Sequence, residues 1–187
     1  MKTQENQKEI ALVLGLLFLM AVTRGHPLEG IVSIPDATLA VFFIGGVYLR
    51  RYVLTPIFFL AATLIDNLAF LRGISDWCFT PAYFFLIPAY LTLWFAGRKF
   101  SSLTVHSVNS GLALGGGALL STTIAFTLTS GSFSLLSGYY DQLTLMEHVS
   151  RSTPFYATYL LNTMVYFATF ILAINCKSLF TTVENRG

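Results

Sequence analysis

Six apolar runs divide this chain, at about residues 10–23, 37–49, 53–70, 79–96, 110–129 and 154–176. A helix that crosses the hydrocarbon core of a bilayer needs about 20 residues, or about 17 when short. The third to sixth runs meet that length. The first two reach it with their flanking residues or in a locally thin bilayer, and a re-entrant second segment is the alternative. Charged residues make up only 11% of the 187, against roughly 25% in soluble domains. The expected fold is an all-α integral membrane protein with six transmembrane helices, a single membrane domain over 1–187. A net charge of +2 is too small to argue for a nucleic-acid partner; the bilayer is the first expected partner.

The cations give the expected orientation. Lys2 and Lys8 precede the first run, Arg50 and Arg51 follow the second, Arg98 and Lys99 the fourth, and Lys177 and Arg186 the sixth. Only Arg24, Arg72 and Arg151 fall in the other set of connections. Eight cations against three put both termini in the cytoplasm under the positive-inside rule. The run 10–23 is followed by Arg-Gly-His-Pro, without the small-x-small pattern of a cleaved signal, so it is expected as the first span. The outer connections RGHPLEGIVSIPD, LRGISDWCFTP and SGSFSLLSGYYDQLTLMEHVSRSTP hold most of the reactive side chains. No GxxxxGK[ST] loop is present, so the chain is not expected to hydrolyse nucleotide itself.

Asp66–Tyr90 is the densest stretch, with a carboxylate inside an apolar run, a Trp-Cys pair and two prolines. Ionisable groups within spans are costly and usually face cavities or partners. Asp66 lies about 20 Å from Arg51 at 1.5 Å rise per residue, in the outer third of the bilayer. It is expected to face a solvated pocket open to the outside; the plainer reading is a carboxylate hydrogen-bonded to a neighbouring helix. Cys78 is expected to open the fourth helix, with Pro81 in the first turn. A helix N-terminus favours a thiolate, which is a ligand for soft metals and a nucleophile. The plainer reading is a small buried apolar residue. Trp77 suits an interfacial anchor, Tyr83 a belt aromatic or a pocket hydrogen-bond donor, and Pro88 a kink that frees a carbonyl. Cys78 and Cys176 fall at opposite membrane faces in this topology, so they are not expected to pair.

His26 and His148 sit in outer connections without HxxH or HExxH spacing, which argues for solvated loop histidines over metal ligands. Tyr139, Tyr140, Asp141, Phe155 and Tyr156 make the last outer connection aromatic and polar. That composition suits the rim of a pocket for a large flat ligand, or equally an interface belt. Gly111, Gly115 and Gly116 or Ala118 form one small-residue face, and Ala11 with Gly15 another. Such faces allow close helix contact, within the chain or with a second subunit.

A His-Pro in the first outer connection, PDATLAVFFIGG in the second helix and a lone Trp-Cys before the fourth together resemble the BtuM family. These are cobalamin transporters related to the substrate-binding S-components of energy-coupling-factor (ECF) transporters. The resemblance covers essentially the whole chain through short motifs. It implies an S-component-like bundle in a bacterial inner membrane, with a cobalamin site facing the periplasm. Cys78 would ligate cobalt in place of the lower base. Asp66 and Tyr83 would support removal of the upper ligand from cyanocobalamin, and His26 would stand near the site. Tyr139, Tyr140 and Tyr156 would contact the corrin. An ECF energising module would dock on the Ala11/Gly15 face, where the family's AxxxA is altered to Ala11-x-x-x-Gly15. Two other readings compete. One is an intramembrane cysteine transpeptidase of exosortase type, with Cys78, Arg151 and His148 as its reactive groups. The other is a structural subunit in which Cys78 is inert.

Overall fold

The computed structural model describes residues 2–24, 34–49, 51–73, 80–102, 108–138 and 144–184. Among them every regular element is helical: α1 (Lys2–Thr23), α2 (Thr38–Tyr48), α3 (Leu54–Leu71), a 3₁₀ segment (Pro81–Phe85) leading into α4 (Leu86–Lys99), α5 (Val108–Leu136) and α6 (Leu145–Glu184). The chain is an all-α protein, and among the described residues four helices, α1, α3, α5 and α6, are long and apolar enough to cross a membrane. Their outward faces carry large apolar side chains such as Phe18, Leu60, Leu120 and Leu161. A surface of that kind suits lipid and would be an aggregation hazard in water.

The spanning set differs from the expected one. The first run reaches length because its polar leader joins the helix, giving 22 residues. The fourth has only 14 α-helical residues, preceded by five in 3₁₀ form from Pro81. Proline is tolerated at a helix start, where its missing N–H would have no partner. The change from 3₁₀ to α precedes Pro88 by two residues, so Pro88 lies in the first α-helical turn and not in mid-helix.

α2 is the centre of the bundle. Its 11 residues span about 16 Å, and all but Tyr48 are buried. A helix apolar all round belongs in a core, and every other helix touches this one. Phe42 stacks on Tyr90 at 4.4 Å between ring centroids and meets Phe59, Phe58 and Trp94 edge-on. The close crossing of α2 and α4 depends on glycine. A methyl added at Gly46 would overlap the Trp94 carbonyl oxygen, and one at Gly97 the Phe43 carbonyl oxygen. At Gly45 it would come within 2.6 Å of the Trp94 ring. The small faces singled out in α1 and α5 do not do this: Gly15, Gly111, Gly115 and Gly116 have open space beside them, and only Ala118 of that set is buried.

Cross-links at the ends show that α1 to α4 alternate in direction. Arg51, before α3, lies against Asn6 and Glu9 near the start of α1. Arg98 at the end of α4 donates to the Leu49 carbonyl just after α2 (2.6 Å) and its guanidinium lies over the Tyr52 ring. Arg24, after α1, reaches Thr38 at the start of α2 and Asp66 near the end of α3. The Tyr166 hydroxyl on α6 donates to the Pro35 carbonyl (2.6 Å).

α5 and α6 form an antiparallel hairpin that corrects the expected last outer loop. Most of that stretch is helix, leaving residues 137–144 as the connection. Thr144 and Glu147 make a reciprocal capping box: the Thr144 N–H and hydroxyl donate to Glu147 Oε2 (2.8 and 2.7 Å), and the Glu147 N–H reaches Thr144 Oγ1 (3.4 Å). This pattern starts helices, and here it sets the start ahead of Pro154. His148, Arg151, Phe155 and Tyr156 are therefore helical residues and not loop residues. Polar pairs run down the hairpin: Ser134 with His148, Ser130 with Ser152 (3.1 Å) and Thr123 with Tyr156 (2.9 Å).

Candidate functional site

The end of the bundle where α1 finishes and α2 begins holds a buried polar cluster centred on Arg24. α1 stops there for local reasons. Gly25 and Pro27 follow in sequence, and the last turn is closed by the Thr23 side chain. Its hydroxyl donates to the Leu19 carbonyl (2.9 Å) and accepts the Ala37 N–H (3.1 Å). That second bond joins the end of α1 to the residue before α2. The first free N–H of α2, from Thr38, donates to Asp36 Oδ1 (2.9 Å), and the Thr38 hydroxyl donates to the same oxygen. A carboxylate at this position satisfies an N–H that the helix leaves open.

Arg24 is then held on all sides. Its Nε and Nη2 donate to the two oxygens of Asp66 at 2.6 and 2.7 Å, the bidentate fork that matches guanidinium to carboxylate. Its Nη1 donates to the Tyr90 hydroxyl (2.8 Å) and to Thr38 Oγ1 (3.1 Å), with Asp36 Oδ2 at 3.5 Å. The Tyr83 hydroxyl donates to Asp66 Oδ2 (2.7 Å). Side-chain exposure is 10% for Arg24 and 16% for Asp66. Residues of α1, α2, α3, the 3₁₀ segment and α4 thus meet in one network. Excellent geometry and added hydrogen bonds are what allow such a pair to exist away from water.

The network brings together two of the expected site residues, Asp66 and Tyr83, and adds four the sequence reading did not assign to a site: Arg24, Asp36, Thr38 and Tyr90. Asp66 was expected to face an open pocket; among the described residues both its oxygens are engaged by neighbouring helices. One signal could have found Arg24. An acid inside an apolar run needs a partner at its own depth, and Arg24 directly follows the run that ends at Thr23. Cys78, His26, Tyr139 and Tyr140 lie outside the described residues, as does the Cys176 side chain. Tyr156 belongs to a different cluster, with its hydroxyl on Thr123 and its ring 5.2 Å from Phe126. His148 is bonded to the Ser134 and Ser152 hydroxyls. No group of three or more His, Cys, Asp or Glu side chains that could hold a metal ion occurs among the described residues.

The cluster positions and orients. Asp66 is fixed by a fork, so its free lone pairs are few and its Oδ2 serves to aim the Tyr83 hydroxyl. Tyr83 sits two residues into the 3₁₀ segment, directly after 74–79, the stretch that contains Trp77 and Cys78. No protein-family model matches this chain, and no curated protein matches it.

Proposed function

We propose that this protein is a six-span carrier in a bacterial inner membrane, with both termini in the cytoplasm, that binds cobalamin from the periplasmic side and mediates its uptake. The observation that carries this reading is the Arg24–Asp66–Tyr83 chain of hydrogen bonds. It ties together the two residues that the BtuM resemblance pairs with a cobalt-ligating cysteine, and it closes the helices on both sides of Cys78. The orientation is supported by the charge count, which puts the Arg51 and Arg98 end inward.

In this reading Cys78 supplies a thiolate to cobalt in place of the lower base, and electron density from the sulfur weakens the bond on the opposite face, as with cysteine-ligated haem. Asp66 anchors Tyr83 through the hydrogen bond between them, and the pair would polarise the thiol side of the pocket and raise the fraction of thiolate delivered to cobalt. Arg24 keeps the Asp66 carboxylate in one orientation. Loss of cyanide from cyanocobalamin follows from the ligation. His26, Tyr139 and Tyr140 belong in sequence to the outer connections and would serve the amide-rich and aromatic faces of a corrin, which need such partners. Ala11 is exposed and Gly15 has open space beside it, which supports docking of an ECF energising module on that face. The transpeptidase reading draws no support from His148 and Arg151, which share one helix, with the histidine already bonded to two serines.

The test is optical. Purified protein mixed with cyanocobalamin should shift the visible corrin bands, and Cys78→Ala should abolish the shift. A Cys78→Ala protein that shifts the bands as fully as the wild type overturns the proposal.

A further inference from the structure

At the end opposite Arg24, α1 and the start of α3 line an open groove of about 220 Å³ whose walls are Ile10, Val13, Leu14 and Leu54. Its polar rim is Asn6, Glu9 and Arg51. The rim is incompletely satisfied. Glu9 Oε2 lies 3.6 Å from Arg51 Nε, but Glu9 Oε1 is buried and has no hydrogen-bond partner. Arg51 gives Nη2 to Asn6 Oδ1 at 3.2 Å, yet its side chain is 60% exposed. A buried acceptor that lacks a donor is costly to leave unsatisfied.

We propose that this groove binds the headgroup of an aminophospholipid, phosphatidylethanolamine in chemical class. The primary ammonium would donate to Glu9 Oε1, the phosphate would accept from Arg51, and the first acyl methylenes would lie along Val13, Leu14 and Leu54. Three features select this ligand. The buried lone oxygen asks for an N–H donor, which a choline headgroup lacks because its nitrogen carries only methyls. The adjacent guanidinium asks for an anion, so a bare amine is only half a match. An anionic headgroup without an amine would set its charge beside Glu9. The apolar walls begin at Ile10 and Leu54, where the polar leader of α1 gives way to its apolar run and where α3 begins, at the depth where headgroups meet acyl chains.

The experiment is native mass spectrometry on the full chain in detergent, with dioleoyl-phosphatidylethanolamine, -phosphatidylcholine and -phosphatidylglycerol added one at a time. One ethanolamine lipid should bind about tenfold tighter than either of the others, the worth of one charge-assisted hydrogen bond. Glu9→Gln should reduce that preference to near unity. Leu14→Trp, at a position 61% exposed and so safe for folding, should lower occupancy by every lipid. Soluble O-phosphoethanolamine should compete poorly. Equal binding of the three lipids by the wild type overturns the proposal, as does a preference that survives Glu9→Gln. Displacement by O-phosphoethanolamine at the concentration of the lipid would overturn it in favour of a soluble phosphate ester.

Discussion

Each end of the α1–α3 pair is tied by an arginine to a carboxylate, and the two ties are built differently. Arg24 grips Asp66 through two bonds at 2.6 and 2.7 Å with both side chains largely buried. Arg51 approaches Glu9 through one contact at 3.6 Å while it is itself 60% exposed. The same two chemical groups therefore make a structural keystone at one end and an adjustable rim at the other. What separates them is desolvation and the number of additional donors, not the presence of opposite charge. A buried pair is costly to assemble and costlier to break singly, because the survivor is left charged and unpaired.

Four measurements test that contrast, taken from the largest expected effect down. Arg24→Met strands Asp66 and Asp36 together and should destabilise the protein by about 3–5 kcal/mol, read as a loss of thermal stability in detergent. Adding Asp66→Leu to Arg24→Met should recover most of the loss, because the largely buried carboxylate is then gone and Asp36, with 45% of its side chain exposed, keeps access to water; a double variant as unstable as the single would show that the network matters for reasons other than that pair. Tyr83→Phe removes one hydrogen bond to a carboxylate and should cost about 1.5 kcal/mol. Under the proposed function it should also slow the corrin band shift without abolishing it. Arg51→Met should cost less than about 1 kcal/mol, and added salt should narrow its difference from wild type while leaving the Arg24→Met difference nearly unchanged. Equal costs at Arg24 and Arg51 would erase the distinction between the two ends.

The sequence made some of this visible and hid the rest for identifiable reasons. Helix α3 follows directly from its apolar run, α1 from its run together with the polar leader, and the place of Asp66 towards the end of α3 follows from counting residues. The family resemblance put Asp66 and Tyr83 in one role without expecting a contact, and in the structure the Tyr83 hydroxyl donates to Asp66. Arg24 was counted as a flanking charge, since a tally of cations says which side a residue favours and nothing about its contacts. The ends of α5 and α6 were read as loop because they are rich in Ser, Thr and Gly. In the helix those hydroxyls donate to carbonyls one turn back, as Ser134 does to Ser130 and Thr153 to Val149. Their polarity is thus satisfied locally, and composition alone cannot report that. The close crossing within the chain falls on glycines other than those of the α1 and α5 faces, for a related reason. Spacing identifies where a backbone could be approached, whereas Gly46 and Gly97 are approached because α2 lies at the centre and α4 crosses it.

That crossing has a mechanical consequence. At Gly46 the two backbones touch, and the residues one turn away are Phe42 and, at the C-cap of α2, Leu49. Sliding α2 past α4 by a turn in either direction would drive one of these side chains into the Trp94 carbonyl, where even a methyl has no room. The one-turn ratchets by which some proteins shift a helix past its neighbour are therefore closed to this pair. Rotation about the contact point remains, so α2 and α4 can scissor but cannot translate, and any stroke along their axes must be made by the helices around them.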